Sequence, residues 1–168
     1  TMIAHYHGQV WNGAQLARSL GTSENTARRY LDILAGAYMI RILPPWFENL
    51  RKRQVKAPKI YIRDSGTLHA LLQVRSLADL QSHPKLGASW EGFVIEQVLA
   101  SEPHDDAWFW ATHQGAEIDL LLRRGDRLLG VECKRADALK ITPSIRTAAT
   151  DLRLERGAVV YPGAQRDL

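Results

Sequence analysis

Residues 117–134, EIDLLLRRGDRLLGVECK, constrain the fold more than any other stretch. Two alternating runs flank Arg124-Gly125-Asp126, a turn-forming cluster. Alternation with period two marks a strand with two unlike faces. In the first run Ile118, Leu120 and Leu122 share one face, and Glu117, Asp119 and Leu121 the other. In the second run Leu129, Val131 and Cys133 share one face, and Leu128, Gly130, Glu132 and Lys134 the other. A two-residue loop at Arg124-Gly125 sets Asp119 opposite Gly130 and puts Asp119, Gly130, Glu132 and Lys134 on one face. Gly130 then leaves open space beside the carboxylates. A three-residue loop shifts the pairing by one and separates Asp119 from Glu132 unless a bulge corrects it.

The shared face suits phosphate chemistry. Asp119 and Glu132 offer hard oxygen ligands for Mg2+ or Mn2+, with the Val131 or Cys133 carbonyl as a further donor. Glu91, on an upstream helix predicted over 88–100, completes the set directly or through water. Lys134 lies two residues from Glu132 and points the same way. It can orient an attacking water, help deprotonate it, or hold the scissile phosphate. Taken singly, Glu132 and Lys134 read first as an ordinary surface pair on a strand, and it is the combination with the other features that points to a site.

The surroundings add order. An aromatic strand is expected over 107–112, before the Asp119 strand. A helix over 141–154 and a strand over 157–161 follow Lys134. Helix with Glu, aromatic strand, Asp strand, hairpin, Glu-x-Lys, helix, strand: this series resembles the PD-(D/E)XK nuclease superfamily. The resemblance implies a restriction-endonuclease-like mixed sheet flanked by helices. It also implies a metal-dependent catalytic set of Glu91, Asp119, Glu132 and Lys134, with Glu91, Asp119 and Glu132 as ligands. Ile118 precedes Asp119, so the proline of the superfamily's name is missing.

The first half has a different pattern. Residues 14–20 form a short helix with Leu16, Ala17 and Leu20 on one side, and Gly21 turns the chain. Ser23 caps a second helix over 24–35, with Ala27, Tyr30, Leu31 and Leu34 at the apolar positions and Asn25, Arg28, Arg29 and Asp32 on the other side. Strands over 38–43 and 59–62 then flank a basic loop, and a helix over 66–73 follows. This is the arrangement of a winged helix-turn-helix. Arg28 and Arg29 on the helix, with Arg51, Lys52, Arg53 and Lys56 in the wing, are the candidate DNA contacts. The same module also serves as a packing or protein-contact unit.

Charge follows this division. Residues 1–75 hold 11 Lys/Arg against 4 Asp/Glu, whereas residues 76–168 hold 11 against 14. A basic half suits a phosphate backbone and an acidic half suits a cation. A break near His83-Pro84, with 76–86 read as a linker, divides the chain into a winged-helix domain at 1–75 and a nuclease-like domain at 76–168. The fold class expected is α/β (α+β). Cys133 is the single cysteine, so neither an internal disulfide nor a Cys-rich zinc site can form. The six histidines read as surface or structural. No apolar run reaches the ~18 residues of a membrane helix, and a cytoplasmic location without membrane contact is expected. The chain starts at Thr1 without an initiator, which suggests a piece of a longer protein.

Three segments resemble the C-terminal part of a prokaryotic family of AAA+ ATPases: LARSLGTSENTARRYLDILAGAYMIRILPP, KAPKIYIRDSGTLHALL, and GASWEGFVIEQVL with FWATHQGAEIDLLL and GVECKRA. The resemblance implies an ATPase module, the partner of this region, in a preceding portion of the full-length chain. This region itself has no G-x-x-x-x-G-K-[ST] loop and no ATP-binding residues of that type. Two functions fit: a Mg2+-dependent DNA endonuclease guided by the winged helix, or a module that grips nucleic acid or protein without cutting. Substrate preference, pathway and oligomeric state stay open at this level.

Overall fold

A computed structural model describes residues 1–47, 55–113, 115–135 and 143–163. Its first layer runs α1 (Met2–His5), β1 (Gln9–Val10), α2 (Gly13–Leu20), α3 (Glu24–Gly36), β2 (Ile40–Leu43) and β3 (Lys59–Ile62). The strands form an antiparallel sheet in the order β1-β3-β2. Asn12 caps α2 by accepting the Gln15 N–H at 3.0 Å, and Ser23 caps α3 by accepting the Thr26 N–H at 3.2 Å. Ala27 and Leu31 of α3 are buried, Leu31 against Ile40, Ile60 and Ile62. Tyr30 departs from the expected apolar stripe and is 54% exposed. One helical step away from Leu31, its side chain falls outside the face that meets the sheet.

Two short helices follow, α4 (Ser65–Leu71) and α5 (Leu77–Ser82). The second corrects the reading of 76–86 as a linker: Ser76 accepts the Asp79 N–H at 3.1 Å and starts a helical turn that the Pro84 break had masked. Helix α6 (Leu86–Ser101) then crosses the molecule. Its sequence is apolar on nearly every side because it is packed on both flanks. Val94 and Ile95 share one buried cluster with Leu43 and Tyr61 of the first sheet and with Phe109, Leu120, Leu122 and Val131 of the second. The two halves therefore have a common core.

The second sheet has the order β4-β5-β6-β7, from β4 (Asp106–Ala111), β5 (Glu117–Arg124), β6 (Arg127–Cys133) and β7 (Arg156–Val160). The first three strands are antiparallel and β7 is parallel to β6. Helix α7 (Pro143–Asp151) lies opposite α6, where Ile145 and Ala148 pack on Trp110, Ile118 and Leu121. The whole is an α+β fold with a mixed sheet between helices. The chain after β2 covers the β4 edge: Phe109 N–H donates to Pro44 O at 3.0 Å, and Val55 N–H to Ala111 O at 3.0 Å.

The hairpin register differs from expectation. Arg124 pairs with Arg127 across Gly125-Asp126, so the two-residue loop lies one position later than Arg124-Gly125. Gly125 supplies the positive φ (+60°) that such a turn needs. Leu121, not Asp119, pairs with Gly130. Gly130 does not open space beside carboxylates either; a Cβ there would lie 2.7 Å from Leu154 Cδ1, on the α7 side.

Candidate functional site

The site forms where β5 is irregular. Trp108 pairs with Leu121, but Trp110 pairs with Ile118, so Asp119 and Leu120 together oppose Phe109. This bulge turns Ile118 and Leu121 toward α7 while Leu120 joins the α6 cluster. Asp119 is thereby aimed at α6 and at the first sheet. It meets Glu91 from α6 and Glu117 from the start of β5. One carboxylate oxygen of each lies within 4.8 Å of the others, the one such acidic group among the described residues.

A buried lysine stands among them. Lys59, at the start of β3, is 5% exposed. Its Nζ donates to Glu91 Oε1 at 2.8 Å, pairs with Glu117, and lies 3.8 Å from Asp119 Oδ1. The Tyr61 hydroxyl donates to the same Glu91 oxygen at 2.5 Å, and Cys133 N–H donates to Asp119 Oδ2 at 2.7 Å. The Phe109 ring lies 5.5 Å from the ammonium. A cavity of about 520 Å3 opens beside the group, lined by Gln9, Lys59, Glu91, Glu117, Asp119 and Lys134 among others.

The charges explain the local protonation. Burial pushes the Asp119 carboxyl up to about 7, aided by Glu91 and opposed by Lys59 and the Cys133 N–H. Burial opposes the charge on Lys59, but Glu91, Glu117 and Asp119 outweigh it and hold the ammonium pKa above its ordinary value. Burial, then Asp119 and Glu91, push the Cys133 thiol up and keep it neutral. With its carboxylates ionised, the group of Glu91, Glu117, Asp119 and Lys59 carries a surplus of two negative charges.

The donor set fits a small divalent cation. Mg2+ at ~2.1 Å from each ligand separates them by about 3–4.2 Å, and the three oxygens here all lie within 4.8 Å of one another. All three donors are hard carboxylate oxygens, the type that Mg2+ and Mn2+ take.

The four residues expected to form one site are only partly gathered. Glu91 and Asp119 meet, and Lys134 lines the same cavity. Glu132 is buried at 3% exposure and stands outside the acidic group. Alternation along β6 puts it on the Gly130 side, because the bulge reverses Asp119 but not Glu132. Lys134 Nζ lies 2.7 Å from Glu132 Oε1. Burial works against the Lys134 charge, yet the bond to Glu132 and its charge raise the pKa. Glu117 and Lys59 were outside the expected set. The Glu117-x-Asp119 spacing was a readable signal; nothing in KIYI pointed to a lysine bound by three acids.

On the other half, Arg28 and Arg29 are exposed on α3, and Arg28 Nε lies 3.2 Å from Asp32 Oδ1. Lys56 is exposed, 5.6 Å from the Phe47 ring. Arg51, Lys52 and Arg53 lie outside the described residues. His7 is structural: its Nδ1 accepts the Ile62 N–H at 2.9 Å and its Nε2 lies 3.0 Å from Ala88 O. Burial lowers its pKa to about 4, so it is neutral and ties the first sheet to α6. No helix among the described residues is long and apolar enough to cross a membrane.

Comparison with known proteins finds similar families and relatives. Residues 1–78 match a family described as Domain of unknown function (DUF8612), and residues 86–167 match Domain of unknown function (DUF4143). The chain is 52% identical over 166 residues to Uncharacterized protein Rv2008c of Mycobacterium tuberculosis and to Uncharacterized protein Mb2031c of Mycobacterium bovis. The match covers 99% of this chain but 38% of each relative, so the chain spans well under half of their length. No solved structure matches it.

Proposed function

We propose that this chain is the nucleic-acid-handling region of an AAA+ ATPase-type protein, in which a winged helix holds DNA beside a divalent-metal site that hydrolyses phosphodiesters. The observation that carries the reading is the convergence of Glu91, Glu117 and Asp119 beside a cavity that also receives Lys134. Support for the winged helix comes from the order α1-β1-α2-α3-β2-β3 and the strand order β1-β3-β2. Arg28 and Arg29 on α3 and Lys56 in the connection between β2 and β3 are the described phosphate contacts in this reading; Arg51, Lys52 and Arg53 belong to the same connection in sequence. The resemblance to the AAA+ family supplies the ATPase partner module, and the reading places the protein with the DNA in the cytoplasm.

In this reading Glu91, Glu117 and Asp119 hold Mg2+ or Mn2+. A bound ion would neutralise charge that develops on the phosphoryl oxygens and polarise the attacking water. Lys134 holds the phosphate or orients the water, and Glu132 holds Lys134 in place through their ion pair. Burial and the Glu91 charge hold the Asp119 proton up to about 7, and a bound cation would favour its release.

The test is cleavage of supercoiled, linear and branched DNA by the full-length protein in Mg2+ or Mn2+. Asp119→Ala and Lys134→Ala are expected to reduce turnover by about 100-fold or more. Glu117→Gln is expected to weaken Mn2+ binding by roughly tenfold, and Glu132→Gln by less. Wild-type cleavage no greater than that of Asp119→Ala on every substrate would sink the enzyme reading. A second reading, a binding module that does not cut, is favoured by the Lys59 ammonium that already neutralises part of the acidic group. It predicts DNA binding that is lost in Arg28→Ala/Arg29→Ala, with no metal-dependent cleavage.

A further inference from the structure

Lysine is almost never buried without a partner, and Lys59 has three. The oxygens that hold its ammonium belong to the same carboxylates that would ligate an ion. Glu91 Oε1 already accepts from both Lys59 and the Tyr61 hydroxyl. Asp119 Oδ2 is occupied by the Cys133 N–H, and its free-facing Oδ1 is the oxygen nearest Nζ, at 3.8 Å. A divalent ion at the centre of this group would lie within a few ångströms of the ammonium, where like charges in a partly desolvated site repel strongly. The two cations compete for one place. The lysine stem is flexible, and the cavity of about 520 Å3 against which it lies gives the displaced ammonium room to go.

On the metal-site reading above, we propose that Lys59 is a built-in cation of the acidic site, holding Glu91, Glu117 and Asp119 together before a divalent ion arrives and giving way when it binds. Gathering three carboxylates here, with Glu91 and Asp119 largely buried, is costly without compensation. The lysine solves that problem during folding and leaves the ligands arranged. Because Lys59 belongs to the first sheet while the carboxylates belong to α6 and β5, metal affinity depends on how the two halves are docked.

The test is Mn2+ binding measured by calorimetry on the nucleotide-free full-length protein at about pH 8, where carboxylates are ionised. Lys59→Met is expected to bind Mn2+ at least about tenfold more tightly than wild type. Mn2+ should also raise its melting temperature further than that of wild type. Equal or weaker binding by folded Lys59→Met overturns the role of Lys59 and leaves the metal site standing. Absence of Mn2+ binding in both proteins overturns the metal site and this inference with it. Should Lys59→Met not fold, lysine-labelled wild type decides by NMR, with the Lys59 ε-methylene signal identified from Lys59→Arg. Saturating Mg2+ should move that signal to the position of solvent-exposed lysines; a bound ion that leaves it unmoved overturns the proposal.

Discussion

Lys59 opens β3 and Arg63 follows its last residue; they meet Glu91 and Glu96, both from α6. At one end Glu96 receives two cations. Its Oε2 accepts from Arg41 Nη2 and from Arg63 Nε, each at 3.0 Å, while Arg41 Nε reaches Oε1. At the other end one ammonium faces three carboxylates. The same two elements thus meet a cationic surplus at one end, where β2 adds Arg41, and an anionic surplus at the other, where β5 adds Glu117 and Asp119. Protonation registers the difference. Burial alone would raise the Glu96 carboxyl, but the arginines outweigh it and hold it below its ordinary range, whereas Asp119 is pushed up to about 7. An arginine surplus at the surface needs nothing more than water, since both guanidinium groups are partly exposed. A carboxylate surplus under cover attracts a further cation. The first cluster clamps the halves together, and the second is where binding is to be sought.

Breaking each cluster in turn sharpens this contrast. The largest effect is expected for Lys59→Met without metal: about 3 kcal/mol of unfolding free energy, near the lower bound for a broken buried pair because Asp119 can take up a proton. Urea denaturation measures it, and added Mn2+ should restore part of the loss. Glu96→Ala leaves Arg41 and Arg63 facing each other but partly solvated, so about 2 kcal/mol is expected, with no recovery in Mn2+. Recovery of both variants by metal would erase the distinction.

The pH dependence should differ in sign. The folded state keeps a proton on Asp119 up to about 7, whereas the ordinary value is 3.8. Its contribution to stability is complete below that ordinary value and disappears as pH rises through about 7. Glu96 behaves conversely: its contribution is present above the ordinary 4.5 and is lost as pH falls through its depressed folded value. Urea midpoints followed across this range should lose their decline toward neutrality in Asp119→Asn and their acid-side loss in Glu96→Gln. An unchanged decline in Asp119→Asn would mean that another group titrates there. The smallest effect belongs to Arg28, whose pair with Asp32 is more than half exposed. Arg28→Ala should change stability by less than about 0.5 kcal/mol. If α3 touches DNA, it should lower the salt slope of binding by about 1.

Local structure was legible because its causes are local. The apolar period and Ser23 marked α3, KIYI marked β3 at its observed bounds, and the alternating runs around Gly125 marked the hairpin. Helix α5 was hidden by the nearby proline, and Tyr30 by a period that does not say how wide the covered stripe is. Of the acids that the sequence singled out, Glu91 and Asp119 do meet.

The alternating sequence determined that residues 117–134 form paired strands with acids on them, and that Glu117 and Asp119 sit two apart. Only the tertiary structure decided which acids converge. Faces follow from alternation only while the ladder is regular, and one extra residue opposite Phe109 sends Asp119 to the α6 side and leaves Glu132 on the other. Nor could strand pattern name the counter-ion. Lys59 reaches Glu91, Glu117 and Asp119 because β3 docks on α6, a contact between segments far apart in the chain that burial and charge select together.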